Sequence, residues 1–330
     1  MVSRRMLLAA AGAAGAAAGL APHGARAQGS WPSRPVQMVV AFPPGGQADV
    51  AARPVAAALE RIFGQAVPVV NRPGAGGILG SASVARAAPD GYTALMALSS
   101  LGVLPESERI MGRTPAYTME QLVPVARVTA DPTVLVVPAS APWKTLAEFV
   151  AAAKARPGAI TYGSAGNYST LHVAMAMLTG AASIDLLHVP FQGGGPALTA
   201  LLSGTIEALA SGPGPALPHV RDGRLRALAC WGRERIAGFE DVPTFLELGM
   251  TEVEFYIWSG VFLPAGTPGA VLERWGQALR TACAEDAALR RALDAAGSPL
   301  AYQDSAAFRD FVAADTQRLT RAVQRIGRVE

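Results

Sequence analysis

The sequence predicts an α/β protein, and three observations support this class. Strand-like and helical segments alternate from Val36 to Leu98, the order that parallel-strand units produce. The 330 residues are 51% hydrophobic and 16% charged, which is enough apolar material for two ordinary domains. Four glycine-rich turns follow strand-like runs, where ligand sites of parallel sheets form.

Each element of the N-terminal part is predicted from its hydrophobic pattern. Apolar runs with β-branched residues indicate strands, and apolar residues at helical spacing indicate helices. The pattern predicts strands at Val36–Ala41, Val67–Asn71 and Tyr92–Leu98, with helices at Val50–Phe63 and Ile78–Ala88.

The C-terminal part, from Pro268 onward, is predicted to form two helices separated by Gly297-Ser298-Pro299. Arginines recur in the last helix at Arg318, Arg321 and Arg325, a pattern typical of a solvent-exposed face.

Residues 1–27 have the pattern of a secretory signal peptide. Arg4 and Arg5 precede the apolar stretch Met6–Ala21, and Ala25-Arg26-Ala27 has the form of a cleavage site. The paired arginines favour the twin-arginine route. As a membrane anchor, the apolar stretch is too short to span a hydrocarbon core of about 30 Å. We therefore expect cleavage near Ala27 and a periplasmic location.

The basic character of the chain comes from this predicted signal. The whole sequence has 28 Lys+Arg against 25 Asp+Glu, with a pI near 9.1. Residues 1–27 hold three of the arginines and no acidic residue, so removing them leaves 25 basic against 25 acidic residues. Only two lysines occur and no basic run is present, which argues against a nucleic-acid partner.

Motifs for catalysis, metals and cofactors are absent from the sequence. It contains no serine-hydrolase elbow, no P-loop and no Cys/His spacing of a metal site. Gly74–Gly80 misses the dinucleotide pattern because Leu79 stands where a glycine belongs. Cys230 and Cys283 permit a disulfide in an oxidising compartment, but buried free thiols fit equally well. We expect no catalytic residue, no metal and no cofactor.

The glycine-rich turns leave two interpretations open. A glycine turn that leads into a helix can point free N–H groups and the positive end of the helix at an anion. Each turn taken alone also fits a tight turn without a ligand. The four turns are Phe42–Asp49, Asn71–Gly77, Tyr162–Asn167 and Val189–Gly195.

Ordered motifs extend over the predicted mature chain and carry a family resemblance. They include Phe42-Pro43-Pro44-Gly45-Gly46 with Asp49 and Arg53, Asn71–Gly77, Pro89–Thr93, Tyr162-Gly163-Ser164, His188-Val189-Pro190, Ala216–His219, Gly223–Ala229, Asp241–Thr244 and Pro264–Pro268. In these motifs the sequence resembles the periplasmic solute receptors of tripartite tricarboxylate transporters, the Bug family.

The resemblance implies a two-lobed periplasmic binding protein of type II, a Venus flytrap with two crossover segments. It implies one lobe over residues 31–130 and 253–330 and a second over 131–252. It also implies a small carboxylate as ligand, hinge closure, and delivery to the membrane subunits of a transporter rather than catalysis.

The ligand site implied by the resemblance lies at the turn 42–48, the turn 164–170 and the stretch 191–194. The candidate ligand-binding residues are Phe42, Gly45, Gly46, Gln47, Ala48, Ser164, Ala165, Gly166, Asn167, Tyr168, Ser169, Thr170, Phe191, Gln192, Gly193 and Ser211. Three more, Asp49, Asn71 and His172, are candidates for either a structural or a ligand role. For Asp49 we favour the N-cap of the following helix, and for His172 closure of the turn before it.

Departures from the family pattern predict the character of the ligand. Tyr168 stands where relatives often have a small residue, Gln192 where Lys or Arg is common, and Ser211-Gly212 where an Asp-Asn pair is frequent. Together these changes remove charge and add an aromatic side chain. They favour a ligand with an apolar or aromatic body and one or two carboxylates, unless Tyr168 faces solvent and the site is generic.

Two other functions remain open at the sequence level. One is an exported α/β hydrolase or lyase acting on carboxylic acid derivatives, which the missing catalytic motifs disfavour. The other is a ligand-sensing receptor for a signalling partner.

Overall fold

Two mixed β-sheets organise the chain in a computed structural model that describes residues 31–329. The signal peptide predicted over residues 1–27 lies outside the described residues. The strands are β1 (Gln37–Val40), β2 (Val69–Asn71), β3 (Thr93–Leu98), β4 (Leu122–Pro132), β5 (Val134–Pro138), β6 (Thr161–Ser164), β7 (Leu187–Pro190), β8 (Ala208–Ser211), β9 (Leu225–Cys230), β10 (Tyr256–Pro264) and β11 (Leu300–Gln303). The helices are α1 (Gln47–Phe63), α2 (Ile78–Ala85), α3 (Leu104–Ile110), α4 (Leu146–Ala155), α5 (Thr170–Ala182), α6 (Gly194–Leu202), α7 (Pro213–Arg221), α8 (Gly269–Glu285), α9 (Ala287–Ala295) and α10 (Ser305–Ile326).

The first sheet has the order β11-β4-β10-β3-β1-β2, and the second has the order β7-β6-β8-β5-β9. In the first sheet β1 is parallel to β2 and β3, while β10 is antiparallel to β3 and β4. In the second sheet β6 is parallel to β7 and β8, while β5 is antiparallel to β8 and β9. The α/β class predicted from the sequence is confirmed.

The chain passes between the two sheets twice. It leaves the first sheet after β4, with Thr133 separating β4 from β5, and returns between β9 and β10. From Arg34 onward the chain forms one compact unit. The bounds of the two lobes within it stay a prediction.

Helix boundaries differ from the predictions at three places, one of them the end of α2, which lies at Ala85 rather than Ala88. Helix α1 begins at Gln47 rather than Val50, because Gly46 has an extended backbone and takes the N-cap position. The prediction of two C-terminal helices is wrong. The side chain of Asp286 accepts the N–H groups of Ala288 and Leu289, so a new helix, α9, starts there. Strand β11 then separates α9 from α10.

An aromatic cluster packs the long helix α10 against the first sheet. Trp258 and Phe262 of β10 contact Phe308 of α10 at ring-centroid distances of 5.3 Å each. Trp258 Nε1 also donates to Asp315 of α10 at 2.8 Å. Gly260 of β10 faces the same ring, and a Cβ there would collide with it. This packing carries the C-terminal end of α10 toward the loop that follows β6.

Cys230 on β9 and Cys283 on α8 are buried free thiols, and no disulfide joins them. Within residues 31–329, no helix combines the length and the hydrophobicity needed to cross a membrane.

Candidate functional site

Four helix N-termini meet at a small cavity between the two sheets. Helix α1 follows β1 of the first sheet, and α5, α6 and α7 follow β6, β7 and β8 of the second. The cavity has a volume of about 20 Å³. It is lined by Phe42, Gly46, Gln47, Ala48, Leu98, Ala165, Thr170, Leu171, Gly194, Ser211, Gly212, Pro215 and Ile257. This is the carboxyl-end position where the glycine turns predict a ligand site.

The cavity offers backbone donors rather than charged side chains. The N-caps of α1, α6 and α7 are Gly46, Gly193 and Gly212, and none of the three helices has a side-chain cap. The first N–H groups of a helix have no intrahelical acceptor and carry the positive end of the dipole. No lining residue is charged. The arrangement therefore suits an anion with an apolar body.

A hydrogen-bond network around Asp49 holds the turn before α1. The Asp49 carboxylate accepts two bonds from Arg53, one from Asn71 Nδ2 at 3.0 Å and one from the Gly45 N–H at 3.1 Å. Asn71 Nδ2 also donates to the Phe42 carbonyl at 2.9 Å. Burial alone would raise the pKa of Asp49, but these bonds outweigh it and the pKa is lowered.

Asp49 and Asn71 thus hold the turn before α1 in place through hydrogen bonds. Neither residue lines the cavity, and the preference for Asp49 as the N-cap is wrong, because it lies in the first turn of α1 and Gly46 is the cap. Arg72 brings positive charge to the second glycine turn but does not line the cavity. Its Nη2 donates to Gln37 Oε1 at 3.4 Å.

Two stacked histidines underlie the turn between β6 and α5. The rings of His172 and His188 lie 4.0 Å apart at 12°. His172 Nδ1 accepts the Tyr168 N–H at 2.9 Å, so His172 closes the turn. Burial lowers the pKa of His172 to about 3, with the neighbouring His188 adding to the effect, and burial lowers the pKa of His188 to about 4. Both rings are neutral at pH 7.

Ser164 belongs to the same turn. Its Oγ lies 2.7 Å from His188 Nε2, donates to the Gly166 carbonyl and accepts the Gly166 N–H. A serine beside a histidine resembles a nucleophile and its base. Ser164 is 0% exposed, however, and no carboxylate of residues 31–329 is hydrogen-bonded to His188. The pair fixes the turn and lacks the third group that orients a catalytic base.

Tyr168 neither lines the cavity nor faces solvent. The residue is 3% exposed, and its backbone has a φ of 58°. Its hydroxyl donates to the Gly327 carbonyl at 2.7 Å and accepts the Val329 N–H at 3.1 Å. These bonds to the C-terminal segment hold the Tyr168 ring outside the cavity lining, so the expected contribution of Tyr168 to the ligand site stays a prediction.

We expect Tyr168→Phe to loosen the C-terminal segment, because two hydrogen bonds to its backbone are lost. The cost in unfolding free energy should be about 1 kcal/mol, since water replaces part of the loss. Hydrogen exchange at residues 324–329 should become faster. Tyr162→Phe is the control, because the Tyr162 ring stacks on His188 and its hydroxyl makes no hydrogen bond within the described residues. Unchanged exchange in Tyr168→Phe would contradict the prediction.

The cavity contains about half of the predicted ligand-binding residues. Those that line it are Phe42, Gly46, Gln47, Ala48, Ala165, Thr170 and Ser211. Those outside the lining are Gly45, Ser164, Gly166, Asn167, Tyr168, Ser169, Phe191, Gln192 and Gly193, of which Gly45 and Gln192 are exposed. Ligand contact remains a prediction for all of them.

Other lining residues were not named as candidates, although Gly194 lies within the predicted stretch 191–194. They are Leu98, Leu171, Gly194, Gly212, Pro215 and Ile257. Leu98 ends β3 and Gly212 follows β8, so the rule that sites form beyond strand carboxyl ends would have found both. Ile257 lies near the start of β10, opposite Asp131, and no local pattern marks it.

Comparisons with known proteins agree with this architecture. A model described as "Tripartite tricarboxylate transporter family receptor" matches residues 51–328. Protein BugT of Bordetella pertussis is 35% identical over 300 residues, which are 90% of this chain and 91% of BugT.

Solved structures extend the similarity to the fold. The periplasmic binding protein BugD matches with a TM-score of 0.84 at 27% identity, covering 89% of this chain and 98% of its own. MatC from Rhodopseudomonas palustris with bound malate has a TM-score of 0.82 at 29% identity, and the match covers 88% of this chain and 99% of MatC. R. palustris Rpa4515 with adipate has a TM-score of 0.83 at 26% identity, and the match covers 89% of this chain and 98% of Rpa4515.

The predicted two-lobed binding-protein fold is thereby confirmed. The family is one of receptors rather than enzymes, and BugD is a periplasmic binding protein. Since the family model matches most of the chain and BugT aligns over nearly all of it, this chain belongs to the tripartite tricarboxylate transporter receptor family.

Proposed function

We propose that this protein is a periplasmic receptor that binds a small carboxylate and delivers it to the membrane subunits of a tripartite tricarboxylate-type transporter. The observation that carries the proposal is the meeting of four helix N-termini, three without a side-chain cap, at a cavity without charged side chains. The proposal includes export of the mature chain after cleavage near Ala27.

Helix ends and backbone donors account for useful affinity without an arginine. A carboxylate gains about 0.3–1 kcal/mol at each exposed helix N-terminus, and up to ~2 kcal/mol where the end is partly buried. Several such ends, together with hydrogen bonds to backbone N–H groups, support micromolar binding, about −8 kcal/mol.

The cavity lining favours an apolar ligand body. Seven of its side chains are hydrocarbon or aromatic, whereas the polar ones are Gln47, Thr170 and Ser211. The malate of MatC and the adipate of Rpa4515 support a carboxylate of similar size. We extend this ligand class to the present chain.

Ligand entry requires opening of the cavity. Its volume of about 20 Å³ accommodates about one water molecule, which is less than a dicarboxylate needs. We place the hinge at the two crossover connections, with residues 31–130 and 253–330 moving against 131–252. A ligand that contacts both lobes stabilises the closed form through its higher affinity for that form.

A thermal-shift and calorimetry screen tests the ligand class. Malate, adipate, benzoate and citrate are titrated into the mature protein. At 100 times its dissociation constant, a ligand adds about 2.7 kcal/mol of stability. We expect a response to at least one small acid with an apolar chain and a weaker one to citrate. The absence of binding by any carboxylate would refute the proposal.

A matched pair of variants locates the binding site. Ala165 lines the cavity beside the N-terminus of α5. Ala165→Asp places a like charge beside the anion and should weaken binding about tenfold or more relative to Ala165→Asn, which has the same size without the charge. Equal affinities would exclude this cavity as the anion site. Uptake of labelled ligand, with and without the receptor, then tests delivery.

A further inference from the structure

The amide of Gln47 is fixed in one orientation at the edge of the cavity. Gln47 Nε2 donates to Asp131 Oδ2 at 2.6 Å and to Ser298 Oγ at 3.0 Å. The Ser298 hydroxyl in turn donates to the same Asp131 oxygen. The amide nitrogen of Gln47 is thus directed at Asp131 and Ser298. The carbonyl oxygen of Gln47 must therefore point away from Asp131 and Ser298.

The Gln47 carbonyl oxygen has no hydrogen-bond partner among the described residues. The residue is 6% exposed, and Oε1 itself is buried. The oxygen lies beside Gly212, since a Cβ built at Gly212 would collide with it. Both residues line the cavity, so the unpartnered acceptor lies at the edge of the space where the ligand is proposed to bind.

A buried acceptor without a donor is costly. In the open form that ligand entry requires, a water molecule can donate to this oxygen. A ligand that displaces this water without offering a donor leaves the oxygen bare and loses affinity. A ligand with a hydroxyl group at this position restores the hydrogen bond.

We propose that Gln47 Oε1 accepts a hydrogen bond from the ligand, so that the receptor prefers carboxylates bearing a hydroxyl group over the same acids without one. The hydroxyl needs one acceptor, which Gln47 supplies. An ammonium group has three donors and a positive charge, and no carboxylate lines the cavity to receive it. Hydroxy acids therefore fit this site better than amino acids. This inference rests on the proposed function, because it concerns the same cavity.

Calorimetry on matched acid pairs tests the preference. Malate is compared with succinate, and 3-hydroxybutyrate with butyrate, each titrated into the mature protein. In at least one pair we expect the hydroxylated acid to bind about tenfold or more tightly, the effect of one unmet buried acceptor. Equal affinities within both pairs would overturn the inference while leaving the proposed function intact. No binding by any acid would refute the proposed function itself.

A variant assigns the preference to Gln47. Gln47→Met keeps the length of the side chain and removes the acceptor, while Ser298 still donates to Asp131. The preference for the hydroxylated acid should fall to less than about threefold. Gln303→Met is the control, because Gln303 Oε1 is also buried without a partner but lies outside the cavity lining. It should keep the wild-type preference.

A second variant covers the case in which Gln47→Met fails to fold. Gly212→Ala leaves Gln47 in place, but its Cβ displaces the carbonyl oxygen, and it should reduce the preference in the same way. A preference that survives in every folded variant would show that another group recognises the hydroxyl, and would overturn the inference.

Discussion

Gly195→Ala is expected to weaken ligand binding about tenfold or more, a loss of about 1.4 kcal/mol or more. A Cβ at Gly195 would lie 2.7 Å from the Pro44 carbonyl oxygen. Pro44 belongs to the turn before α1, whereas Gly195 lies in the first turn of α6, so this contact joins the two sides of the cavity. A backbone oxygen cannot rotate away as a side chain can, and the two segments must separate.

The fold itself should tolerate this substitution. Ala is a better helix former than Gly by about 1 kcal/mol, and Gly195 is not at a positive φ. Gly180→Ala on α5 is the control, because its Cβ would meet nothing within 4 Å and Gly180 does not line the cavity. We expect Gly180→Ala to bind the same acid within about threefold of wild type, since no contact is broken. Calorimetry decides, and wild-type affinity in Gly195→Ala would show that closure does not need this contact.

Acid should destabilise the protein through its stacked histidines. The unfolded chain takes up protons at a pKa near 6.5, whereas the folded chain holds the pKa of His188 at about 4 and of His172 at about 3. The two histidines therefore cost the folded state no stability above about pH 6.5. The free energy of unfolding decreases as the pH falls from there toward 4. Each buried histidine costs up to about 1.4 kcal/mol per pH unit, with a smaller share for the partly exposed His188.

Asp131 has the opposite effect on the pH dependence of stability. Burial raises the pKa of Asp131 to about 7, against the hydrogen bonds from Ser298 and Gln47 that lower it. The folded state therefore binds a proton before the unfolded state does, and stability rises as the pH falls from about 7 toward 4. The wild-type profile is the difference between these opposing effects, so a variant is needed to isolate the histidine contribution.

His172→Asn isolates the histidine contribution to the pH dependence. The Asn side-chain oxygen can accept a hydrogen bond from the Tyr168 N–H in place of Nδ1, and Asn does not titrate. We expect the stability difference between wild type and His172→Asn to change by about 1.4 kcal/mol per pH unit between pH 6 and 4. Guanidinium unfolding at several pH values measures this difference. His219→Asn, on α7 outside the stack, is the control. Parallel profiles for wild type and His172→Asn would contradict the prediction.

The sequence predicted the elements that depend on local patterns. Glycine-rich turns lead into α1, α5 and α6 as expected, because a strand, a glycine turn and a helical pattern are adjacent in the chain. The break after Glu285 was missed, because the Ala-rich segment continues through it and one Asp cap divides it. The cavity lies at the turns where a ligand site was predicted, and ligand contact there stays a prediction, while Leu98, Pro215 and Ile257 came from elements without a ligand motif.

Side-chain direction was decided only by long-range contacts. Tyr168 was predicted near the ligand by its position in the turn, yet its hydroxyl binds Gly327, which α10 brings there from the other end of the chain. The orientation of the Gln47 amide likewise depends on Asp131 and Ser298, both distant in sequence.

The sequence by itself determined the local chemistry of the turns: helix starts that follow glycines, with few polar side chains. These properties are local, since a glycine before a helix leaves its N–H groups free wherever the helix lies. The tertiary structure alone decided which of these groups meet and which way Gln47 and Tyr168 point. Their hydrogen-bond partners are far away in the chain, and only the packing of both sheets brings them within reach.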